Sequence, residues 1–277
     1  MKTERAELKR QARQALKGHY GTAIGGYMLY MAIYGLLLMG FYVAVFAMLV
    51  AGGFALDQYG FFKYSSEEGV FIAVLILCFL LFMVMIVIIY ILMPGLIRLH
   101  MNICKGEPAS AMDIFWAFRN KPLKFIGISL ILFLIAIGLS IPSFVLSFAA
   151  LFNLVYTLIL YGVSIYASLT FSMFYFILVE DPEKGLIQAL KESREMMIGN
   201  RVRFFVLSLS FLGWICLGMM SFGIGMLWIT PYMSCTVIYF YLDLQPKIET
   251  IPPQTAWNPY MEGYRESAGE QVVEENR

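Results

Sequence analysis

The sequence predicts an all-α fold: a polytopic membrane helix bundle of six transmembrane helices in three hairpins, with short cytoplasmic amphipathic helices. Three observations carry this. The chain has 277 residues, of which 60% are hydrophobic and only 14% charged, and its mean hydropathy is +0.73; soluble domains average about 25% charged. Four uncharged runs, Tyr20–Leu56, Val70–Ile97, Phe125–Val179 and Phe204–Leu242, each exceed the roughly 20 residues that span a bilayer. Lys and Arg also sort by side. The N-terminal segment carries 6, the loop after span two 5, the loop after span four 5 and the tail 3, so 19 of 20 fall on one side. The positive-inside rule then places both termini in the cytoplasm.

Thr3 to Lys17 is expected to form an amphipathic helix. Leu8, Ala12, Ala15 and Leu16 share one face, and Lys9, Arg10, Arg13 and Lys17 the other. That apolar face is small, so its membrane affinity should lean on anionic lipid headgroups. Gly18-His19 ends it, completing a cytoplasmic segment over 1–20. The N-terminus does not read as a cleavable signal, because the leading segment is long and mixed in charge. The six-span domain covers 21–244. Span one is placed at about 22–52, with Gly21 and Gly25 at the spacing of close helix packing. Span two runs over about 70–94, and Pro94-Gly95 closes or kinks it.

Arg98 to Lys124 is polar and should hold a second short amphipathic helix. Ser110 and Asp113 have capping-box spacing. Ile114, Phe115 and Phe118 would face lipid or the bundle, Trp116 suits the headgroup level, and Pro122 ends the element. The long run to Val179 is too long for one crossing and is divided into spans at about 123–146 and 153–179. Pro142 kinks the first. Ser164, Ser168 and Ser172 form a small-residue stripe on the second.

Asp181-Pro182-Glu183 reads as a helix start, and Leu186, Ala189, Leu190, Ser193, Met196 and Met197 recur at helical spacing up to Gly199-Asn200. The last hairpin, spans at about 203–221 and 226–243, turns at Ser221–Gly225, with Pro231 kinking its second arm. Residues 245–277 hold Pro246, Pro252, Pro253 and Pro259 and an acidic excess, the pattern of a disordered cytoplasmic tail; Trp257-Asn258-Pro259-Tyr260 is an aromatic island in it. The three entries into the hairpins (Ala15–Tyr20, Ala117–Pro122, Met197–Val202) read as a weak threefold repeat, which shared demands of membrane entry would also produce.

For chemistry the pattern is mainly negative. No Asp, Glu, Lys, Arg or His lies within the core of an expected span, and such residues usually mark proton relays, ion paths or intramembrane catalysis. There is no phosphate loop, no HExxH and no GxSxG. Cys78, Cys104, Cys216 and Cys235 show no metal or disulfide spacing, Cys104 being expected in a charged loop. His19 and His100 sit at the cytoplasmic boundary. No catalytic residue, cofactor or metal site is expected. Net charge of +1 gives no reason to expect nucleic acid. The candidate positions are therefore of two kinds. Pro94, Pro142 and Pro231 are possible kinks or solute-path positions. Leu186, Leu190, Met197, Phe115, Trp116 and Phe118 are candidates for facing a partner or lipid.

Several stretches resemble a known family. They are Glu7-Leu8-Lys9 with Ala15–Gly18, Glu180-Asp181-Pro182, Ala189–Ser193, Met197 with Gly199-Asn200, Leu209–Trp214, Gly223-Ile224-Gly225, Trp228 and Pro231-Tyr232. Together they are similar to domain of unknown function 975, bacterial multi-span membrane proteins found largely in Firmicutes. The resemblance implies a bacterial plasma membrane location and carries no reaction or ligand. The functional expectation is a non-enzymatic accessory or regulatory scaffold. Its partners would be membrane lipid and a protein or a second copy of itself. An uncoupled transporter or channel for a small or lipidic solute is the alternative.

Overall fold

The computed structural model describes residues 3–58, 67–145 and 150–245. The acidic tail, its aromatic island and the turn expected near 146–153 therefore fall wholly or partly outside the described residues. Among these residues every regular element is helical. In order they are α1 (Arg5–Leu16), α2 (Tyr20–Gln58), α3 (Glu67–Lys105), a 3-10 turn (Ala111–Phe115), α4 (Trp116–Arg119), α5 (Pro122–Val145), α6 (Ala150–Thr170), α7 (Phe174–Glu180), α8 (Leu186–Met197), α9 (Arg201–Leu209), α10 (Leu212–Met220) and α11 (Met226–Leu244). Five stretches are long and apolar enough to cross a membrane: Tyr20–Met48, Ile72–Lys105, Pro122–Pro142, Leu151–Glu180 and Arg201–Met220. The protein thus has the character of a multi-span membrane protein. The last helix, α11, is not among the five; its aliphatic residues are interleaved with Tyr, Thr, Ser and Pro.

The core sits at one end of the bundle. On α3, most side chains from Ile91 to Cys104 are buried, Met93 being exposed, whereas Ile72, Leu75, Phe79 and Leu80 are exposed. On α2, Ala23 and Tyr27 are buried, and over the stretch from Met28 to Val50, Met28, Leu36, Met39, Tyr42, Phe46 and Val50 are exposed. The burial follows the charge. Where polar connections and short helices gather, protein covers the apolar faces; where the chain is purely apolar, nothing polar is left to cover them.

Several boundaries differ from the sequence reading, each for a local reason. Helix α3 does not stop at Pro94 but continues to Lys105. A proline removes one backbone donor, and a well-packed helix runs through that loss. Cys104 is consequently a buried helical residue and not part of a loop. Pro122 opens α5 and does not close the element before it; the first helical position needs no backbone donor. The helix at Asp181-Pro182-Glu183 starts later, at Leu186 with Gly185 as N-cap. Asp181 instead caps α7, and its carboxylate accepts the Glu183 N–H at 3.1 Å, forming a turn. The fourth run is broken between Thr170 and Phe174, and the fifth between Leu209 and Leu212.

The three entries share a backbone corner. Helices α1, α4 and α8 end in an extended C-cap, at Lys17, Asn120 and Ile198. The next residue has a left-handed φ: +92° at Gly18, +54° at Lys121 and +72° at Gly199. The next helix then begins within two residues. The buried stripes match as well: Leu8, Ala12 and Leu16 on α1; Ile114 and Ala117 around α4; Ala189, Ser193 and Met197 on α8. The Ser110–Asp113 capping box forms, with the Ser110 N–H donating to Asp113 Oδ2 at 3.0 Å. Gly95 lets the backbone of this 3-10 turn lie directly on α3, since a Cβ there would stand 2.0 Å from the Ile114 carbonyl oxygen. The serine stripe of α6 does not face a helix neighbour. Ser164 and Ser168 are exposed, and Ser168 and Ser172 donate to carbonyls three residues back. Close packing falls one residue past the expected GxxxG pair, at Gly26 against Leu99.

Candidate functional site

The few polar groups of the chain are used to tie elements together at the buried end. Arg203, on the first turn of α9, is the centre of the largest tie. Its Nη2 donates to the Thr3 carbonyl at 2.5 Å and to Asp243 Oδ2 at 2.6 Å. Thr3 in turn donates its backbone N–H to both Asp243 oxygens at 3.3 Å, and its hydroxyl donates to Oδ1. The guanidinium lies over the Phe240 ring, 4.9 Å from its centroid. One carboxylate in the last turn of α11 thereby gathers the N-terminal segment and α9. The side chains of Arg203 and Asp243 are 17% and 6% exposed, so neither charge is well hydrated and each depends on the other. Burial pushes the Asp243 carboxyl up, but the hydrogen bonds from Thr3 and Arg203 outweigh it and hold it below the usual carboxylate range.

A groove of about 680 Å³ opens beside this clasp, lined by Thr3, Glu4, Arg5, Ala6, Lys9, Arg203 and Ser210. Lys9 donates to the Ser210 carbonyl at 3.3 Å and sits 4.4 Å from the Phe211 ring centroid. Ser210 is the C-cap of α9, so the amine meets the negative end of that helix. Burial lowers the Lys9 amine's pKa, and repulsion from Arg13 and Arg5 adds to it. With Arg5, Lys9 and Arg203 against Glu4, the groove is suited to hold an anionic group.

Two further ties complete the end. Glu180 pairs with Lys105 at 2.5 Å and accepts the Tyr241 hydroxyl at 2.5 Å, while Tyr241 stacks on Phe176. Lys124 donates to the carbonyls of Pro182 and Lys184 at 2.9 and 2.5 Å, and Lys121 pairs with Glu183. These contacts bolt the α7–α8 turn to the start of α5. Between them, His100 is buried with neither ring nitrogen hydrogen-bonded. Among the described residues no three His, Cys, Asp or Glu are grouped to hold a metal ion.

A family model described as "Protein of unknown function (DUF975)" matches residues 112–247. The chain belongs to the DUF975 family. No curated protein and no solved structure matches it. The DUF975 match contains Arg203, Asp243, Glu180 and Tyr241, whereas Thr3, Lys9 and Lys105 lie before it. The clasp therefore joins the N-terminal helix to the matched region.

The candidate positions from the sequence scatter over this DUF975 frame. Pro94, Pro142 and Pro231 lie inside three different helices, α3, α5 and α11. Pro231 is buried beside Tyr232, whose ring packs edge-on against Phe211 and Trp214. One turn before Pro142, the Leu139 carbonyl accepts the Tyr156 hydroxyl at 2.8 Å. Met197 does not face a partner or lipid: it is fully buried, because α8 turns its Ala189–Met197 stripe onto the bundle. Leu186, Phe115 and Trp116 are partly buried against the core. Leu190 and Phe118 are exposed, with Ile187 and Ile198 beside Leu190's helix face. The apolar stripe of α1 is likewise covered, by α11 and α3, and not by a lipid surface.

Arg203, Asp243 and Thr3 were not singled out by sequence, and Gly95 was read only as punctuation after Pro94. A signal for the first pair exists. Arg203 and Asp243 are the charges that bracket the uncharged run Phe204–Leu242. A run that folds back on itself brings its two ends together.

Proposed function

We propose that this DUF975 protein is a non-enzymatic accessory or regulatory scaffold of a bacterial plasma membrane, with both termini cytoplasmic. The observation that carries this reading is where the protein spends its polar groups. They fasten α1, α3, α7, α9 and α11 to one another, and α8 to α6, at one end, and Pro231 lies among packed rings. A rigid charged platform beneath lipid-facing helices suits holding something at the membrane surface. Two features favour particular contacts. The groove with Arg5 and Lys9 suits anionic lipid headgroups. The outer face of α8, with Ile187, Leu190 and Ile198 exposed, suits a protein partner or a second copy.

The test is affinity purification from native membranes, with mass spectrometry of copurifying lipids and proteins. A stoichiometric protein, or enrichment of anionic lipid that is lost in Arg5→Ala/Lys9→Ala, is the expected result. Recovery of neither, together with solute flux in liposomes holding the pure protein, would replace the scaffold by a transporter.

A further inference from the structure

We infer that the C-terminal hairpin, α9 to α11, does not cross the membrane; it stays on the side of the termini, with its turn seated in the lipid leaflet of that side. This rests on the reading of α2 and α3 as crossing helices.

The first argument is reach. Helix α11 is tied to the last turn of α3: the Tyr239 hydroxyl donates to the Cys104 carbonyl at 3.0 Å, and the buried Cys235 thiol lies next to that of Cys104. From Cys235 back to Met226, where the hairpin turn begins, is nine residue steps, or about 13 Å of helix. That is the farthest α11 can project outward from Cys104, whatever its crossing angle. The outer end of α3 at Glu67 is 37 steps from Cys104, or about 55 Å. The turn therefore falls about 40 Å short of it.

The second argument is where lipid begins. On α3 the exposed apolar residues extend from Ile72 to Met93, and on α2 from Met28 to Val50. Among the described side chains these stretches run for about 31 and 33 Å, enough to cover the roughly 30 Å hydrocarbon thickness of a bilayer. Their inner edges agree to within about 6 Å, because Gly26 packs on Leu99 and Met28 and Met93 lie two and six steps outward of that contact. Met93 is eleven steps, about 16 Å, from Cys104. The hairpin turn reaches the inner edge of the hydrocarbon and no farther.

The third argument is charge. Lys9 is bonded to Ser210, in the middle of the α9–α10 arm, and Arg13 lies 5.8 Å from the ring centroid of Tyr232, early in α11. A crossing hairpin would carry both cations toward the bilayer centre without a carboxylate partner, where charges are strongly disfavoured. Kept at the inner face, they lie at headgroup depth.

The turn itself points to lipid. Phe222 is 98% exposed, and Leu217, Met219, Met220, Ile224 and Trp228 around it are exposed as well. This apolar tip continues the edge marked by Met28 and Met93, and Trp228 suits the interface. The crossing helices are then α2, α3, α5 and α6, and their even number keeps both termini together.

The test uses full-length protein in cells and in inside-out vesicles, with Cys78→Ser and Cys216→Ser as background. Phe222→Cys, Gly60→Cys and Lys17→Cys are probed with a membrane-impermeant maleimide. Gly60→Cys is expected to react only from outside, and Lys17→Cys only from inside. Phe222→Cys is expected to react from neither, and to react fully once detergent is added. Reaction of Phe222→Cys from outside at the rate of Gly60→Cys would overturn the inference. So would reaction from inside at the rate of Lys17→Cys, which would put the tip in water. Gly60→Cys reacting only from inside would instead sink the underlying orientation, a separate outcome. As an independent readout, a variant with Trp228 as its sole tryptophan is expected to lose several-fold fluorescence to lipids brominated on the acyl chain. An unchanged signal would also overturn the leaflet seat.

Discussion

Gly95 shows how much one residue decides. Its missing side chain is the space in which the Ile114 carbonyl lies. A methyl group there must displace backbone, which cannot yield as a flexible side chain can. Gly95→Ala is expected to destabilise by about 1–3 kcal/mol or more, seen as a lowered Tm in detergent. Gly127→Ala is the control: nothing stands within 4 Å of its Cβ position, and helix propensity makes that change neutral or slightly stabilising. Asp243 gives a prediction in pH. Its carboxyl is held below the usual range, so its contribution is fully present above the ordinary carboxylate pKa. It is lost as pH falls through the lower folded value. Wild type should lose stability on acidification through that window, and Asp243→Asn should flatten the dependence. At neutral pH the same variant leaves Arg203 buried without its counter-charge, a loss of about 3–5 kcal/mol. Thermal unfolding across pH checks both statements.

At the level of elements, the repeated corner is the main result. Each short helix buries one face, ends in an extended cap and turns through a left-handed residue into the next helix. Two of the three corners use glycine. The third uses Lys121, which costs about 1–2 kcal/mol as an L-residue in that region. Lys121→Gly is accordingly expected to raise Tm, its exposed pair with Glu183 being worth little, while Gly199→Ala lowers it. If Lys121→Gly left stability unchanged, the corner would not be strained. The three corners are alike beyond what membrane entry demands, because a particular φ at a particular step is not required merely to enter a bilayer. How legible these elements were depended on the residue. Ser110 and Asp113 announced their cap, and Gly18 and Gly199 their stops. Pro94 misled, because a proline signals a lost donor and not the packing that overrides it. Asp181 misled because Asp and Pro serve a turn as well as a helix start.

Across the whole molecule, burial and charge occupy one end and lipid-exposed helices the other. Helix α1 belongs to the core: Leu8, Ala12 and Leu16 are fully buried. Leu8→Ala is expected to cost about 2–5 kcal/mol and to broaden the size-exclusion profile of the purified protein. A merely surface-adsorbed α1 would tolerate the change, so an unaltered profile and Tm would return α1 to the lipid surface.

The sequence by itself determined the membrane character, the all-helical class, the sidedness of its basic residues and the punctuation between helices. These are local properties: run length, charge placement and the backbone needs of Gly, Pro and capping residues. The tertiary structure alone decided which faces meet protein and which meet lipid. In an apolar chain every helix face is greasy, so hydropathy cannot distinguish Met197, buried in the bundle, from Ile187, exposed on the same helix. It also decided how far each helix reaches. The run Phe204–Leu242 is long enough to cross and return, and only its ties to Cys104 and Lys9 fix its depth. Those ties join residues more than a hundred positions apart, and no local pattern encodes them.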